Sequence, residues 1–479
     1  MSDGDCQHAK PVRAVVAAVQ LRGVSDVEFE ASLNELRELA KTLGFEVVAS
    51  FTQKRASFDT TAYLGVGKRH EMRRFVDNEA APDDEEASPS ALGTTHRAAK
   101  SGAARAKEAA QSAADPKTRH ADIVLVDHEI SPSQARNLEI EVGCEVMDRT
   151  MVILEIFHRH ARSRAARAQV EIARLGYMAP RLREAAKLAG PKGRQRSGTG
   201  GRGAGEAHSE LDRQKIRNRI AELKQEITAM DVERKTQRAR RQESQGLARV
   251  ALVGYTNAGK STLMRALTGS EVLVADKLFA TLDTTVRTLH PQTVPRVLVS
   301  DTVGFIKNLP HDLVASFKST LEEALEASLL IHVIDASDPG FERQLAVTDE
   351  VFKEIGAQAV PRIRVFNKID LVGDAAAQGA HAAMLRAQYA DCIVMSARRA
   401  GDVANLHAVI RAFFQKDLIE AKLFLPWSMQ QLRGEIFANC EVLEESADAE
   451  GAFFRIRGEP DTVNAMRERI VQTQSIQSG

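Results

Sequence analysis

The chain has 479 residues, 43% of them hydrophobic and 27% charged, with 65 basic side chains against 65 acidic ones. That length exceeds one ordinary core and predicts about three domains, while the charge balance excludes a uniformly basic nucleic-acid binder and leaves room for a local patch. Cys6, Cys144, Cys392 and Cys440 lie far apart with no CxxC pair or zinc spacing, which predicts reduced thiols in a cytoplasmic protein. MSDGDCQHAK lacks the apolar core of a signal peptide, and no apolar run approaches the length of a membrane span.

From Val12 to Phe75 apolar strands alternate with amphipathic helices. VRAVVAAVQL reads as a strand, VEFEASLNELRELAKTLG as a helix and FEVVASF as a second strand, and YLGVG turns into the short helix RHEMRRFV. This alternation predicts a parallel α/β domain over residues 1–149. Residues 78–121 interrupt it with a stretch rich in Ala, Ser and charge. It holds too little apolar surface to offset ordering entropy, which predicts a disordered insertion. DIVLVD, the helix SPSQARNLEIEV and a short strand near CEVMD complete the domain.

Residues 150–246 read as two helices around a Gly-rich loop, GPKGRQRSGTGGRGAGE. The first runs from near Thr150 towards Leu188, the second from about Ser209 to Arg241. In the second, Leu211, Ile220, Leu223, Ile227 and Met230 form an apolar stripe suited to one neighbouring helix, which predicts an antiparallel hairpin. Between His158 and Gly205 the basic residues are Arg159, Arg162, Arg164, Arg167, Arg174, Arg181, Arg183, Lys187, Lys192, Arg194, Arg196 and Arg202, against Glu171 and Glu184 alone. This local excess suits contact with RNA phosphates. Tyr177 is the lone Phe, Tyr or Trp in that window, which argues against base stacking.

After Gly246 the alternation returns in RVALVG, VLVSD, LLIHVID, RIRVFN and CIVMS, predicting a second α/β domain over residues 247–416. Residues 417–479 read strand, helix, strand, strand, helix, a small α+β module.

GYTNAGKS, residues 254–261, fits the G-x-x-x-x-G-K-[ST] phosphate loop, with a strand before it and a helix after it. Backbone N–H groups along Gly254, Tyr255, Thr256, Asn257, Ala258 and Gly259, with the helix N-terminus and Thr262, would cradle phosphates. Lys260 would lie along the β- and γ-phosphates, and Ser261 would ligate magnesium. NKID, residues 367–370, follows an apolar strand. The Asp370 carboxylate can accept from both N1–H and the exocyclic amine of guanine, whereas adenine would oppose it with an acceptor, so GTP is predicted over ATP. Asn367 would tie this loop to the phosphate loop, the Lys368 stem would cover the base, and Ser396 with Ala397 would offer a backbone N–H to the guanine O6.

Between these lie LFATLDTTVRTL and DTVGF. Asp301 would hold magnesium through water, and after Thr302 and Val303 the N–H of Gly304 would meet the γ-phosphate. Thr285 is the candidate for a mobile threonine that closes on magnesium, with Thr281 and Thr284 as rival neighbours; Phe279 and Thr281 belong to the nucleotide's surroundings. Lys260, Thr285 and Gly304 are thus the candidate catalytic groups. Many GTP-hydrolysing switches carry next a Gln that orients the attacking water. Phe305 stands there and cannot hydrogen-bond to water, which predicts slow hydrolysis by the isolated chain. Asn257 resembles the Asn that GTPases with an apolar residue at this position use to ligate potassium.

Together GYTNAGKSTL, LFATLDTTVRTL, DTVGFIKNLPHDLVASFKSTLEEA and HVIDASDP resemble the HflX family of ribosome-associated GTPases. The likeness extends upstream to LVDHEISPSQARNLE, DRTMVILEIFHRHARSRAA and QVEIARL, and so covers nearly all of residues 12–416 outside the insertion. The resemblance implies an α/β multidomain protein with an N-terminal α/β domain, a helical hairpin, a P-loop GTPase domain and a variable C-terminal domain. It also implies GTP and GDP as ligands, Mg2+ as cofactor with K+ as a candidate second ion, and a cytoplasmic, monomeric protein that binds the large ribosomal subunit. Its expected role is to separate stalled or idle ribosomes into subunits under stress; the alternative is a GTP-dependent RNA-binding factor in large-subunit assembly. The chain departs from the family pattern in the insertion, in GAGEAHSE at residues 203–210, and before QVE. In GAGEAHSE, Ala204, Ala207, His208 and Ser209 differ from Gly-Pro-Gly-Glu-[Thr/Ser]-Gln-Leu-Glu; before QVE, Ala165, Ala166 and Arg167 replace Glu-Gly-Lys.

Overall fold

The computed structural model of the protein describes residues 11–78, 120–189, 213–230, 232, 248–269, 278–279, 285–307 and 325–477. The chain forms two compact units that part between Ile227 and Thr228. The interior of the predicted insertion and the Gly-rich loop lie outside the described residues.

In the first unit, β1 (Arg13–Leu21), β2 (Glu46–Arg55), β3 (Ile123–Val126) and β4 (Glu145–Asp148) form an all-parallel sheet in the order β2-β1-β3-β4. The crossovers are α1 (Asp26–Thr42), α2 (Val66–Val76) and α3 (Pro132–Val142). β1 is buried on both faces, which is why it reads as an unbroken apolar run. Ser25 caps α1 by accepting from the Glu28 N–H, and the helix then buries Phe29, Leu33, Leu36 and Leu39 along one stripe. Ser131 and Gln134 close a capping box on α3 with Pro132 at its first turn, and Gly143 ends that helix at φ +86°.

Arg149, the first residue of α4 (Arg149–His160), is only 2% exposed and joins three of these elements. Its guanidinium lies 2.9 Å from Asp127 at the end of β3 and pairs with Glu35 of α1. The Ser32 hydroxyl donates to the second Asp127 oxygen at 2.8 Å.

The single long helix expected from Thr150 onward is two helices. α4 stops at Ala161 (ψ 110°), and α5 (Arg164–Ala189) restarts beneath Ser163, whose hydroxyl accepts from the Ala166 N–H at 3.1 Å. A serine that caps one turn interrupts the helix before it, a local signal that the apolar periodicity masks. Ala165 and Ala166 are 4% and 3% exposed, so small side chains pack in the first turn of α5. A further helix, α6 (213–230), runs antiparallel to α5: Arg164 meets Glu226 at 2.6 Å while Arg219 meets Glu171 at 2.9 Å. Leu223 is buried on the inner face, and Ile220, Ile227 and Met230 are half-buried beside it. Leu211 lies outside the described residues.

The basic excess of this region needs revision. Arg181 is drawn inward by the buried Asp148, whereas Arg159 and Arg174 pair with Glu155 and Arg164 with Glu226 while staying exposed. Their carboxylate partners lie beyond the window from His158 to Gly205, so the sequence count missed these pairings, and Arg181 alone among the four is withdrawn from the surface.

In the second unit six strands form one sheet. They are β5 (Ala248–Gly254), β6 (Thr285–Thr288), β7 (Val297–Asp301), β8 (Leu329–Asp335), β9 (Arg362–Asn367) and β10 (Ile393–Val394), in the order β10-β9-β8-β5-β7-β6. All are parallel except β6, which pairs antiparallel with β7. α7 (Lys260–Thr268), α8 (Phe341–Ile355), α9 (Ala375–Gln388) and α10 (Ala400–Gln415) are its principal helices. A small antiparallel sheet follows, with β11 (Ile419–Pro426), β12 (Glu441–Ala447) and β13 (Gly451–Gly458) in the order β11-β13-β12. α11 (Arg433–Asn439) and α12 (Pro460–Gln477) belong to it, and burial lifts its Cys440 thiol to about 11. Among the described residues no helix is long and apolar enough to cross a membrane.

The Arg149 cluster yields a direct expectation. Arg149→Ala should destabilise the first unit by about 3 kcal/mol, because Asp127 is left buried without its counter-charge. Urea denaturation read through hydrogen exchange of the β3 amides checks this; protection equal to the parent chain would remove the ion pair from the account.

Candidate functional site

β5 ends at Gly254, and the turn through Asn257 (φ +58°) and Gly259 (φ +95°) delivers the chain to the first turn of α7. Gly259 is required twice: its φ is left-handed, and a Cβ there would stand 2.3 Å from the Asn367 side-chain nitrogen. Lys260 is buried and folds back over the loop, donating to the carbonyls of Gly254 (3.0 Å) and Tyr255 (2.7 Å). Burial pushes its ammonium down to about 8, with the Asp301 carboxylate opposing that shift. Thr256 and Ala258 are buried, whereas Asn257 is exposed.

Asp301, fully buried at the end of β7, accepts from the Ser261 hydroxyl at 2.7 Å. Two hard oxygen donors this close fit a small divalent cation. Thr285 opens β6 directly across from Asp301 in the ladder. The Thr302 hydroxyl donates to the Leu252 carbonyl at 2.7 Å, and Val303 is buried beside it. Gly304 then passes so close to the loop that a Cβ would stand 2.9 Å from both the Lys260 nitrogen and the Thr256 Cα. Phe279 is buried at φ +55°. Thr281 and Thr284 lie outside the described residues, and Thr262 is half-buried on α7.

The second loop cluster closes on the first through Asn367. Its amide donates to the Ala258 carbonyl at 2.9 Å, and its oxygen accepts from the Ala397 N–H at 2.8 Å. Lys368 (φ +63°) turns the chain, and Asp370 stands half-buried one residue beyond Ile369. Ser396 is buried next to Ala397.

Sequence reasoning missed two carboxylates here. Asp335, at the end of β8, holds the Lys368 ammonium at 2.8 Å, and Asp402 on α10 accepts from the Ser396 N–H at 2.8 Å. Asp335 was visible inside HVIDASDP, but its partner is set by the adjacency of β8 and β9, which the string does not show.

A phosphate loop at a strand-to-helix turn, a buried carboxylate against its serine, and an Asn-Lys-x-Asp loop clasped to both define a P-loop GTPase. Family models agree along the chain. One described as GTP-binding GTPase N-terminal matches residues 30–84 and 86–158, GTP-binding GTPase Middle Region matches 160–241, and 50S ribosome-binding GTPase matches 249–368. The chain is 49% identical over 462 residues to GTPase HflX of Gluconacetobacter diazotrophicus, covering 95% of this chain and 97% of that one. It is 37% identical to GTPase HflX of Caldanaerobacter subterraneus subsp. tengcongensis, covering 94% and 92%. The chain belongs to the HflX GTPase family, and it is a GTP hydrolase. Among solved structures it is similar to a GTP-binding protein from Sulfolobus solfataricus in complex with GDP, at 21% identity and a TM-score of 0.41 over 83% of this chain and 99% of that one.

Asp370→Asn should weaken GTP binding on the order of a hundredfold, since the charged acceptor becomes a neutral amide that can accept from only one of the two guanine N–H groups and opposes the other with its own donor. It should favour xanthosine triphosphate, whose 2-oxo group accepts from the new amide. Titration of both nucleotides against both proteins checks this, and unchanged GTP affinity would place Asp370 outside the base site.

Proposed function

We propose that this chain is a GTP-switched factor that binds the large ribosomal subunit and separates stalled or idle ribosomes into subunits, acting as a cytoplasmic monomer. The observation that carries the reading is the match of residues 249–368 to the 50S ribosome-binding GTPase model, in a chain 95% of which aligns with an HflX relative. In this reading residues 1–149 and the helical region 150–246 engage ribosomal RNA, 247–416 bind nucleotide, and 417–479 form an accessory module. Gly254 to Thr262 hold the phosphates, with Lys260 along the β- and γ-oxygens. Ser261, Thr285 and Asp301 hold magnesium, which supplies charge neutralisation at the phosphates. Gly304 donates to the γ-phosphate; Asn367, Lys368, Asp370, Ser396 and Ala397 hold guanine, and Phe279 and Thr281 lie at the nucleotide's edge. Exposed Asn257 assists a potassium ion.

Phe305 supports ribosome dependence. It is 2% exposed, turned into the protein, and offers no polar side-chain atom to a water. Single-turnover hydrolysis should therefore be slow alone, rise strongly with large subunits, and rise less with potassium in place of sodium. A rate indifferent to large subunits would defeat this proposal. Light scattering of intact ribosomes with a non-hydrolysable GTP analogue separates the alternatives: splitting lowers the signal, whereas an assembly factor leaves it unchanged.

A further inference from the structure

Phe305 is held by more than its own apolarity. Its backbone forms a parallel bridge with Tyr255 in the phosphate loop: the Phe305 N–H donates to the Gly254 carbonyl at 3.1 Å, and the Phe305 carbonyl accepts from the Thr256 N–H at 2.7 Å. Two residues on, the Lys307 N–H donates to the Tyr255 hydroxyl at 2.7 Å. The Phe305 ring packs edge-on against Phe352 of α8, with centroids 6.0 Å apart. Phe352 is itself buried between His332 of β8, at 5.6 Å, and the Arg362 guanidinium, at 5.3 Å.

The geometry points to a latch in which the Tyr255 hydroxyl and the Phe352 socket hold residues 305–307 docked on the phosphate loop, restraining hydrolysis until these residues are released. The chemistry follows from what the docked state consumes. With an apolar side chain at 305, backbone groups of this segment are natural candidates to hold the attacking water. In the docked state the Phe305 carbonyl is taken by Thr256, the Phe305 N–H by Gly254 and the Lys307 N–H by Tyr255. Opening the latch frees all three. Tyr255 is thus a positioning residue: it acts through the segment it pins.

Tyr255→Phe removes one hydroxyl and keeps the ring. It should raise the ribosome-free single-turnover rate about fivefold, the population shift expected of one lost hydrogen bond, and speed hydrogen exchange at the Lys307 amide. Phe352→Ala, which empties the socket, should act in the same direction, and the Tyr255 variant keeps the test valid should that one fold poorly. A simple structural defect would slow hydrolysis, so a faster enzyme is the distinguishing sign. An unchanged or slower Tyr255→Phe enzyme overturns the latch. One further expectation rests on the proposed ribosome dependence: if large subunits act by opening the latch, their stimulation of Tyr255→Phe should shrink by the same factor. A parent chain indifferent to large subunits would defeat that dependence while leaving the ribosome-free comparison to decide the latch.

Discussion

The nucleotide half of the molecule depends on one side chain that is satisfied at both ends. Asn367 donates to Ala258 in the phosphate loop and accepts from Ala397 in the loop after β10, and it is 2% exposed while doing so. The end of β9, the phosphate loop and the loop after β10 are thereby fixed at one point inside the fold. An aspartate could accept from Ala397 but would set a negative charge against the Ala258 carbonyl; a leucine would leave a buried acceptor and a buried donor unpaired. The close approach of Gly259 follows from the same clasp, since the Asn367 amide occupies the space a side chain there would need. The phosphate loop and the Asn-Lys-x-Asp loop are thus one mechanical unit.

Around that clasp the cations of the site are held by the protein's own oxygens. Lys260 rests on two loop carbonyls, and Lys368 rests on Asp335. Each is positioned by short contacts, so little side-chain ordering remains to be done when a ligand arrives. The same economy explains Phe305. A glutamine at that position would need a polar partner in the docked state, whereas phenylalanine finds the Phe352 ring and is stable when turned away from the chemistry.

Much of this was legible in the chain. The phosphate loop and the Asn-Lys-x-Asp string each combine a local backbone requirement with a flanking strand, and local requirements survive in a single sequence. Strands alternating with helices announced a multidomain α/β fold for the same reason. What escaped was contact across distance. Tyr255 was assigned to the phosphate cradle, yet its hydroxyl serves Lys307; Phe352 lies on an ordinary amphipathic helix, and nothing in its spacing marks it as a socket. The break between α4 and α5 escaped because the apolar period runs across it, and the cap at Ser163 outweighs that period locally. Charge counting failed where it ignored partners outside the window: Arg181 reads as a free cation, but Asp148 holds it.

That last pair shows how the helical region is rooted. Asp148 is fully buried at the end of β4, where it caps α4 by accepting from the Met151 N–H and accepts from the Ile130 N–H of the neighbouring loop. The same carboxylate receives Arg181 at 2.6 Å and the Tyr177 hydroxyl, both from α5, and Arg181 lies over the Tyr177 ring at 4.7 Å. Burial, with the carboxylate beside it, holds the Tyr177 hydroxyl well above its ordinary range, so it stays a donor. One buried charge therefore joins the sheet, the start of α4 and the middle of α5. A helix anchored at its middle by a charged network cannot pivot freely, because tilting it would strip hydrogen bonds from a desolvated carboxylate. Asp148 thereby couples any tilt of α5 to the end of β4.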